Sequence, residues 1–342
     1  MARGGSYSYG GEGPATAVAE QPQALSADKK KPVLVTGAAG MVGIHTCREL
    51  TKKGWQIRAL IRDPAKAAMA LGQLPVEFRV GDVRDATTLR SSLSGCGAVI
   101  HLAAIAIEKN GDSYRESNTA ATERLISAAR AENVSRVIFM SQNGADSRSP
   151  YPFLRSKGVA QDSVKTSGLQ WTVLRPSVIF GPEDQFVNVL GRLIRLTPKI
   201  FPLPGGGSAR FQPIAVDDVA RVVRLCLEKK GTINQSYDLG GAVPLTLRQM
   251  TERILAAMGT QRTIVAVPVK ALRPLLAMAQ RLLPNPPVTA SLLDLLSLDN
   301  TTPSNALTDY FNVVPVPFAS DELQYLRRIT ARNAFRSLFE QR

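Results

Sequence analysis

The feature that most constrains this chain is a glycine-spaced turn, Thr36-Gly37-Ala38-Ala39-Gly40-Met41-Val42-Gly43. It lies between a short apolar run, Val33-Leu34-Val35, and residues 41–53, which carry helical spacing and stop at Gly54. In a strand–turn–helix of this kind the first glycine permits the tight turn. The second lets the backbone approach a pyrophosphate, and the third lets helix and strand pack closely. The helix N-terminus then offers free N–H groups and a partial positive charge to phosphates. Glycine loops also simply turn chains, so the weight rests on what surrounds this one.

What surrounds it is an alternation of strands and helices. Residues 57–61, 76–80, 98–102, 136–140 and 171–174 read as strands, and about 114–131 and 153–167 as helices. That rhythm predicts an α/β fold, a doubly wound parallel sheet with a small, mostly helical C-terminal lobe. Residues 1–31 read as a disordered tail, its Lys29-Lys30-Lys31 a solvated linker. Residues 32–180 read as the dinucleotide-binding domain, and 181–342 as the remainder of the sheet (about 211–241) plus the lobe. Asp184 stands where a helix N-cap belongs, ahead of Phe186, Val189, Leu190, Leu193 and Ile194. Phe186 and its helix read as core rather than as substrate contacts. Asp217 or Asp218 is expected to cap a helix over 219–228, and Pro268, Pro274, Pro284, Pro286 and Pro287 to break the helical segments that follow.

The end of the second strand selects between cofactors. An acidic residue there suits the ribose 2′-OH of NAD, a basic one the 2′-phosphate of NADP. Arg62 stands at that end, and a guanidinium matches a phosphate in a bidentate way. Asp63 follows and serves either NAD or the cap of the helix after Pro64. The reading is NADP(H) in preference to NAD(H). Asp82, just after the third strand, is a candidate acceptor for the adenine amino group or a turn aspartate.

Charge and composition exclude more than they specify. A net charge of +14 over 342 residues attracts phosphates, but the Lys and Arg residues are spread along the chain. No basic run interleaved with aromatics marks specific nucleic-acid binding. A solvated basic surface, an anionic membrane surface and an acidic partner subunit all fit the charge. Cys47, Cys96 and Cys226 lie far apart, and His45 and His101 are the only histidines, so no metal site is indicated. A reducing, cytoplasmic or matrix-like compartment is expected, and peripheral membrane association is a further reading. No apolar stretch is long enough to span a bilayer. Glu12, Glu20 and Asp28 argue against a transit peptide, and no signal-peptide core is present.

With these residues in view, the chain resembles the extended and atypical branches of the short-chain dehydrogenase/reductase superfamily, which have a Rossmann fold. The resemblance rests on Thr36 to Gly43, Gly81-Asp82-Val83, His101-Leu102-Ala103-Ala104, Asn118 and residues 175–182, 213–220 and 237–241. More narrowly, residues 153–157, the pattern from Pro176 to Asn188, and Leu295 to Asn300 resemble the NADPH-binding accessory subunits of respiratory complex I and their bacterial relatives. The resemblance implies cofactor contacts at Thr36, Gly37, Ala39, Gly40, Met41, Val42, Arg62, Asp82, Val83, Leu102, Ala103, Ala104, Asn118, Ser141, Lys157, Pro176 and Val178. In the narrower group it implies a tightly held NADPH without established turnover.

Hydride-transferring members of the superfamily use Tyr-x-x-x-Lys, whose spacing puts both side chains on one helical face. Lys157 is present here, but Phe153 holds the tyrosine's place and has no hydroxyl to ionise. Tyr151 precedes Lys157 by six residues, roughly 600° of helical rotation, so it shares the lysine's face only from a preceding loop. The candidate catalytic residues are therefore Lys157, Tyr151 and Ser141. Ser141 reads equally as a turn serine, and Lys157 retains a purpose in binding ribose hydroxyls. Residues 270–298 form a basic amphipathic stretch that fits a lid over the cofactor, a membrane-surface segment or a subunit contact. Three functions follow: a non-catalytic accessory or assembly subunit of a respiratory NADH:quinone oxidoreductase-type complex, a reductase, dehydrogenase or epimerase of a sugar-, lipid- or quinone-like substrate, and an NADP(H)-ratio sensor.

Overall fold

Seven parallel strands build the sheet that carries the site: β1 (Val33–Thr36), β2 (Ile57–Ile61), β3 (Val76–Val80), β4 (Ala98–His101), β5 (Arg136–Met140), β6 (Gln170–Pro176) and β7 (Gln235–Leu239). The computed structural model describes residues 27–108, 111–283 and 288–339. The strand order is β7-β6-β5-β4-β1-β2-β3, so the direction of winding reverses between β1 and β4. Register is set in the middle: Val33 lies beside Ile57 on one side and Ala98 on the other. Every residue of β1, β4 and β5 is buried, as expected of strands covered on both faces.

The period-2 alternation sorts side chains into two cores. Val33, Val35, Ala59 and Ile100 face one way, in one core with Ile44, Cys47 and Leu50 of α1 (Met41–Lys52) and with Val219 and Val223 further on. Leu34, Leu60, Val99 and Phe139 face the other way. They meet Leu89 of α3 (Ala86–Leu93), Leu125 of α4 (Ala121–Ala131) and Val164 of α5 (Pro152–Lys165). The intervening α2 (Pro64–Leu71) lies beyond β2 and is capped by Asp63, which accepts from the Lys66 amide at 3.1 Å. Ahead of α4 the chain forms a π-helix, Arg115–Ala120, where the spacing predicts ordinary helix from 114. Such turns shift side chains out of the α register and recur at functional sites.

After β6 the chain leaves the sheet to build the lobe. α6 (Val187–Leu196) opens as expected, with Asp184 Oδ1 accepting from the amides of Phe186, Val187 and Asn188. α7 (Val216–Glu228) differs from expectation, because it starts earlier, with Ala215 at its cap. Asp217 and Asp218 lie inside its first turn and spend their carboxylates on His45 and on the Val316 amide instead. α8 (Leu247–Ala257) carries Met250 and Ile254 into the lobe core with Ile194 and Phe201. A strand at Ile200–Pro204 pairs in parallel with Thr263–Val267. Then come α9 (Val269–Leu282), α10 (Ala290–Leu295), α11 (Ala306–Asp309) and α12 (Ala331–Arg336). Pro274 sits inside α9 without ending it, contrary to expectation. Pro284, Pro286 and Pro287 lie outside the described residues. Leu307 and Phe311 return to the sheet core beside Tyr237 of β7.

The expected tail also needs correction at its end. Residues 1–26 lie outside the described residues, but Ala27 is buried and Lys29 lies over the Trp55 ring at 5.3 Å. Lys29 is thus packed on the domain, while Lys30 and Lys31 are exposed to solvent. Among the described residues no helix is long and apolar enough to cross a membrane.

Candidate functional site

The loops that follow β1, β2, β3 and β4 surround a cavity of about 330 Å³ at the strands' C-terminal ends, beside the reversal of winding. Open α/β sheets bind their ligands at such a switch point. Gly37 turns the chain with φ +69°, and a Cβ there would meet the Ala103 amide nitrogen at 2.8 Å. A Cβ on Gly43 would lie 2.2 Å from the Gly37 carbonyl oxygen, so only glycine lets α1 sit this close to its strand. No side chain caps α1, and no acidic residue occupies its first turn. Its amide groups are therefore left for an anion.

A buried polar chain holds the opposite wall. The Thr122 hydroxyl donates to the Asn118 carbonyl at 2.6 Å and accepts from His101 Nε2 at 3.1 Å. That fixes the proton on Nε2, so Nδ1 accepts from the Thr36 hydroxyl at 2.7 Å. Thr36 Oγ1 in turn accepts from the Ala103 amide at 3.3 Å. Burial, with the Lys157 charge nearby, pushes the His101 pKa down to about 3 and keeps the ring neutral. The result is a rigid link between β1 and the Leu102–Ala104 loop. Asn118 acts similarly, accepting from the Ile105 amide at 2.8 Å and donating to its carbonyl at 3.0 Å. It also donates to Ser156 Oγ at 3.0 Å.

The structure divides the sequence-derived residues into two groups. Gly37, Ala39, Gly40, Arg62, Asp82, Val83, Leu102, Ala103 and Ala104 line the cavity. Thr36 and Asn118 stand behind it, and Met41 and Val42 begin α1. Pro176 ends β6, and Val178 accepts from the Ile214 amide; neither lies on the cavity wall. Lys66 and Arg84 join Arg62 on the wall, although the sequence reading did not single them out. A basic residue one turn into α2 was the available signal for Lys66. Arg84 clasps Asp82, donating to it at 2.7 Å and 3.0 Å, and also reaches Asp112 at 2.6 Å. Burial pushes the Asp82 carboxyl up, but the Arg84 hydrogen bonds outweigh it and hold the pKa below its usual value. Asp82 is thus a charged, already chelated wall residue.

Two of the three catalytic candidates come together, Lys157 donating to the carbonyl of Met140, the residue directly before Ser141. Lys157 is buried and donates to the Met140 carbonyl at 2.6 Å, with its ammonium 4.7 Å from the centre of the Phe139 ring. Burial pushes its pKa down to about 7. Phe153 turns its ring toward Tyr114, with centroids 5.8 Å apart. Tyr114 gives its hydroxyl to the Ala106 carbonyl, and burial pushes its pKa up to about 12. Tyr151 precedes α5 at its cap position and is half-buried. Ser141 is buried, and its hydroxyl has no protein partner. Such an orphan is one observation that points to a polar ligand atom or water beside it.

His45, counted only as an isolated histidine in the sequence, lies between two carboxylates. Its Nδ1 is 2.6 Å from Asp217 and its Nε2 3.2 Å from Glu183. Burial lowers its pKa, but the hydrogen bonds to Asp217 and Glu183 outweigh that and raise it. The three cysteines are free and buried, and no metal-binding cluster occurs among the described residues.

Comparison with known proteins agrees with this geometry. The model of the NAD(P)H-binding family matches residues 37–230. The chain is 29% identical to "NADH dehydrogenase [ubiquinone] 1 alpha subcomplex subunit 9, mitochondrial" of Arabidopsis thaliana over 64% of its own length, and spans 56% of that protein. It is 27% identical to the 2-alkyl-3-oxoalkanoate reductase of Stenotrophomonas maltophilia, covering 87% of this chain and 99% of that one. The dTDP-glucose 4,6-dehydratase DesIV of Streptomyces venezuelae, solved with NAD bound, shares the fold. Its TM-score is 0.65 at 22% identity, over 90% of this chain and 99% of that one. The glycine cradle, the uncapped α1 and the switch-point cavity fit a nicotinamide dinucleotide, and the chain belongs to the NAD(P)H-binding family, within the atypical short-chain dehydrogenase/reductase superfamily.

Proposed function

We propose that this protein holds NADP(H) as a fixed component rather than consuming it, as an accessory or assembly subunit of a membrane-bound respiratory complex of the NADH:quinone oxidoreductase type. The observation that carries the reading is the place of the expected tyrosine. Phe153 fills it with a ring packed on Tyr114, and the nearby Tyr114 hydroxyl is committed to Ala106. A proton relay through Lys157 therefore has no phenol at the expected helical position, and Tyr151 is the phenol that the experiment below tests. The preference for NADP(H) is supported by Arg62 and Lys66, two cationic side chains on the cavity wall at the end of β2 for a 2′-phosphate, whereas Arg84 is held by Asp82 and Asp112. The likeness to the Arabidopsis respiratory subunit supports the choice of partner, and a basic surface suits an anionic membrane or an acidic neighbouring subunit. The near full-length match to a 2-alkyl-3-oxoalkanoate reductase favours a second reading, an NADPH-dependent ketone reductase.

One experiment separates them. Native mass spectrometry of the purified protein identifies the bound cofactor, and the same sample is then offered a panel of ketones and quinones. The proposal expects NADPH at one per chain and no oxidation of it. NAD in its place would refute the role of the cationic wall. Turnover that Tyr151→Phe abolishes would refute the accessory reading.

A further inference from the structure

The lobe contains a second cavity, of about 270 Å³, whose chemistry is opposite to that of the first. It lies between α6, the strand Ile200–Pro204, α9 and α10. Phe186, Val189 and Leu193 form one wall. Leu272, Leu276 and Ala279 form the facing one, repeating at four and three residues along α9. Among the described lining residues Gln185 is the only one with a polar side chain, and it also lines the dinucleotide cavity. The two spaces therefore share a wall at one amide.

A space this large is not ordinary packing slack. It is partly open to solvent, so the apolar side chains of α6 and α9 that line it are left against water, at a cost proportional to the apolar area exposed. Water inside it gains little, because it needs two or more polar partners and the described wall residues supply one amide. α9 has an apolar stripe, yet none of its described side chains is fully buried. It borders the space instead of closing on α6. Phe186 packs on the lobe core beside Phe211, as expected, and also lines this second space, as does α9 from the stretch read as a cofactor lid, a membrane-surface segment or a subunit contact.

We propose that the cavity is a binding site for the hydrocarbon tail of a single-chain amphiphile, with its polar, carbonyl-bearing head at Gln185 beside the dinucleotide site. An engineered apolar cavity of about 150 Å³ accommodates benzene, so this one has room for roughly ten to twelve carbon atoms. The Gln185 amide supplies both a donor and an acceptor for the head. Straight acyl chains and short isoprenoid chains share this chemistry. The site is independent of whether the cofactor turns over.

The test is calorimetric titration of the full-length, NADPH-loaded protein with fatty acids of six to fourteen carbons and with benzoquinones carrying decyl or geranyl tails. Affinity should rise roughly fourfold per methylene and level off at about ten to twelve carbons. A plateau reached by the acids alone identifies an acyl ligand, and one reached by the geranyl quinone an isoprenoid. Ala279→Phe and Val189→Trp, which fill the space from opposite walls with apolar atoms, should each weaken the best probe at least tenfold. NADPH binding, followed by its fluorescence, should stay unchanged. Three results would each overturn the proposal: no probe binds, affinity climbs with length without a plateau, or both filled variants bind as tightly as the parent.

Discussion

The two cavities are made from different parts of the amino acid. The dinucleotide cavity is built from backbone: glycines without Cβ atoms, an uncapped helix end, and a loop braced by Thr36 and His101. Its side chains contribute charge at the rim. The lobe cavity is built from apolar side chains on several elements of the lobe, α6, α8, α9 and α10 among them, with the Gln185 amide at its edge. A backbone site tolerates almost no change at a few positions, because a single Cβ has nowhere to go. A side-chain site spreads its shape over many residues, each of which can be exchanged at modest cost.

Four substitutions test that contrast. The largest effect is expected at Gly37→Val. Its φ of +69° and its contact with Ala103 leave no room for a branched side chain. The variant should lose about 4 kcal/mol of stability and all measurable NADPH binding, read by denaturant unfolding and fluorescence titration. Ile254→Ala, in the lobe core, should cost about 3 kcal/mol in the same unfolding assay. Its folded fraction should bind NADPH with the parent's affinity, and a parallel loss of affinity would break the contrast.

Lys157→Met removes a buried charge and should stabilise the cofactor-free protein by about 1–3 kcal/mol near neutral pH. It should weaken NADPH roughly tenfold if the ammonium meets the ribose. The sign of the pH effect follows from its pKa of about 7 against an ordinary 10.5. Between those values the unfolded chain binds a proton that the folded chain does not, so parental stability should rise with pH across that window. The variant should lose that rise. The smallest effect is at His45, where the folded pKa is raised above the ordinary 6.5. Its contribution is complete below pH 6.5 and vanishes as pH climbs through the raised value. His45→Gln should therefore cost about 1 kcal/mol at pH 6 and nothing well above the folded pKa, measured by unfolding at both pH values.

The same contrast explains what could be read from sequence. Strand positions β2, β3 and β5 were legible to the residue, β2 and β5 as short, mostly apolar runs between turn residues and β3 by its alternation of apolar and charged residues before Gly81-Asp82. The glycine loop was legible because its spacing is a backbone requirement. Lys66 and Arg84 were not, since their place on the wall depends on where α2 and the loop after β3 fold back. Asp217 and Asp218 were misread as caps because each pairs with a residue distant in sequence, His45 and Val316. Propensity carries no information about such partners. The lobe cavity was hidden for a further reason: a leucine stripe on a helix looks the same whether it meets another helix or an empty space.

The last strand of the sheet joins it late. β7 pairs with β6 from Gln235 against Thr172 to Leu239 against Pro176, after the chain has gone out through the lobe and back. Arg136 of β5 makes the same long reach, donating to Thr172, Thr232 and the Cys226 carbonyl. During synthesis, at about 5–20 residues per second, the flank of β6 stays open until these residues emerge. Until then it presents an unpaired row of amides and carbonyls to any neighbouring strand. The nucleotide-binding half thus depends for its own completion on a segment made only after most of the first lobe elements, and a fragment cut at the end of β6 would expose a sticky edge rather than a finished domain.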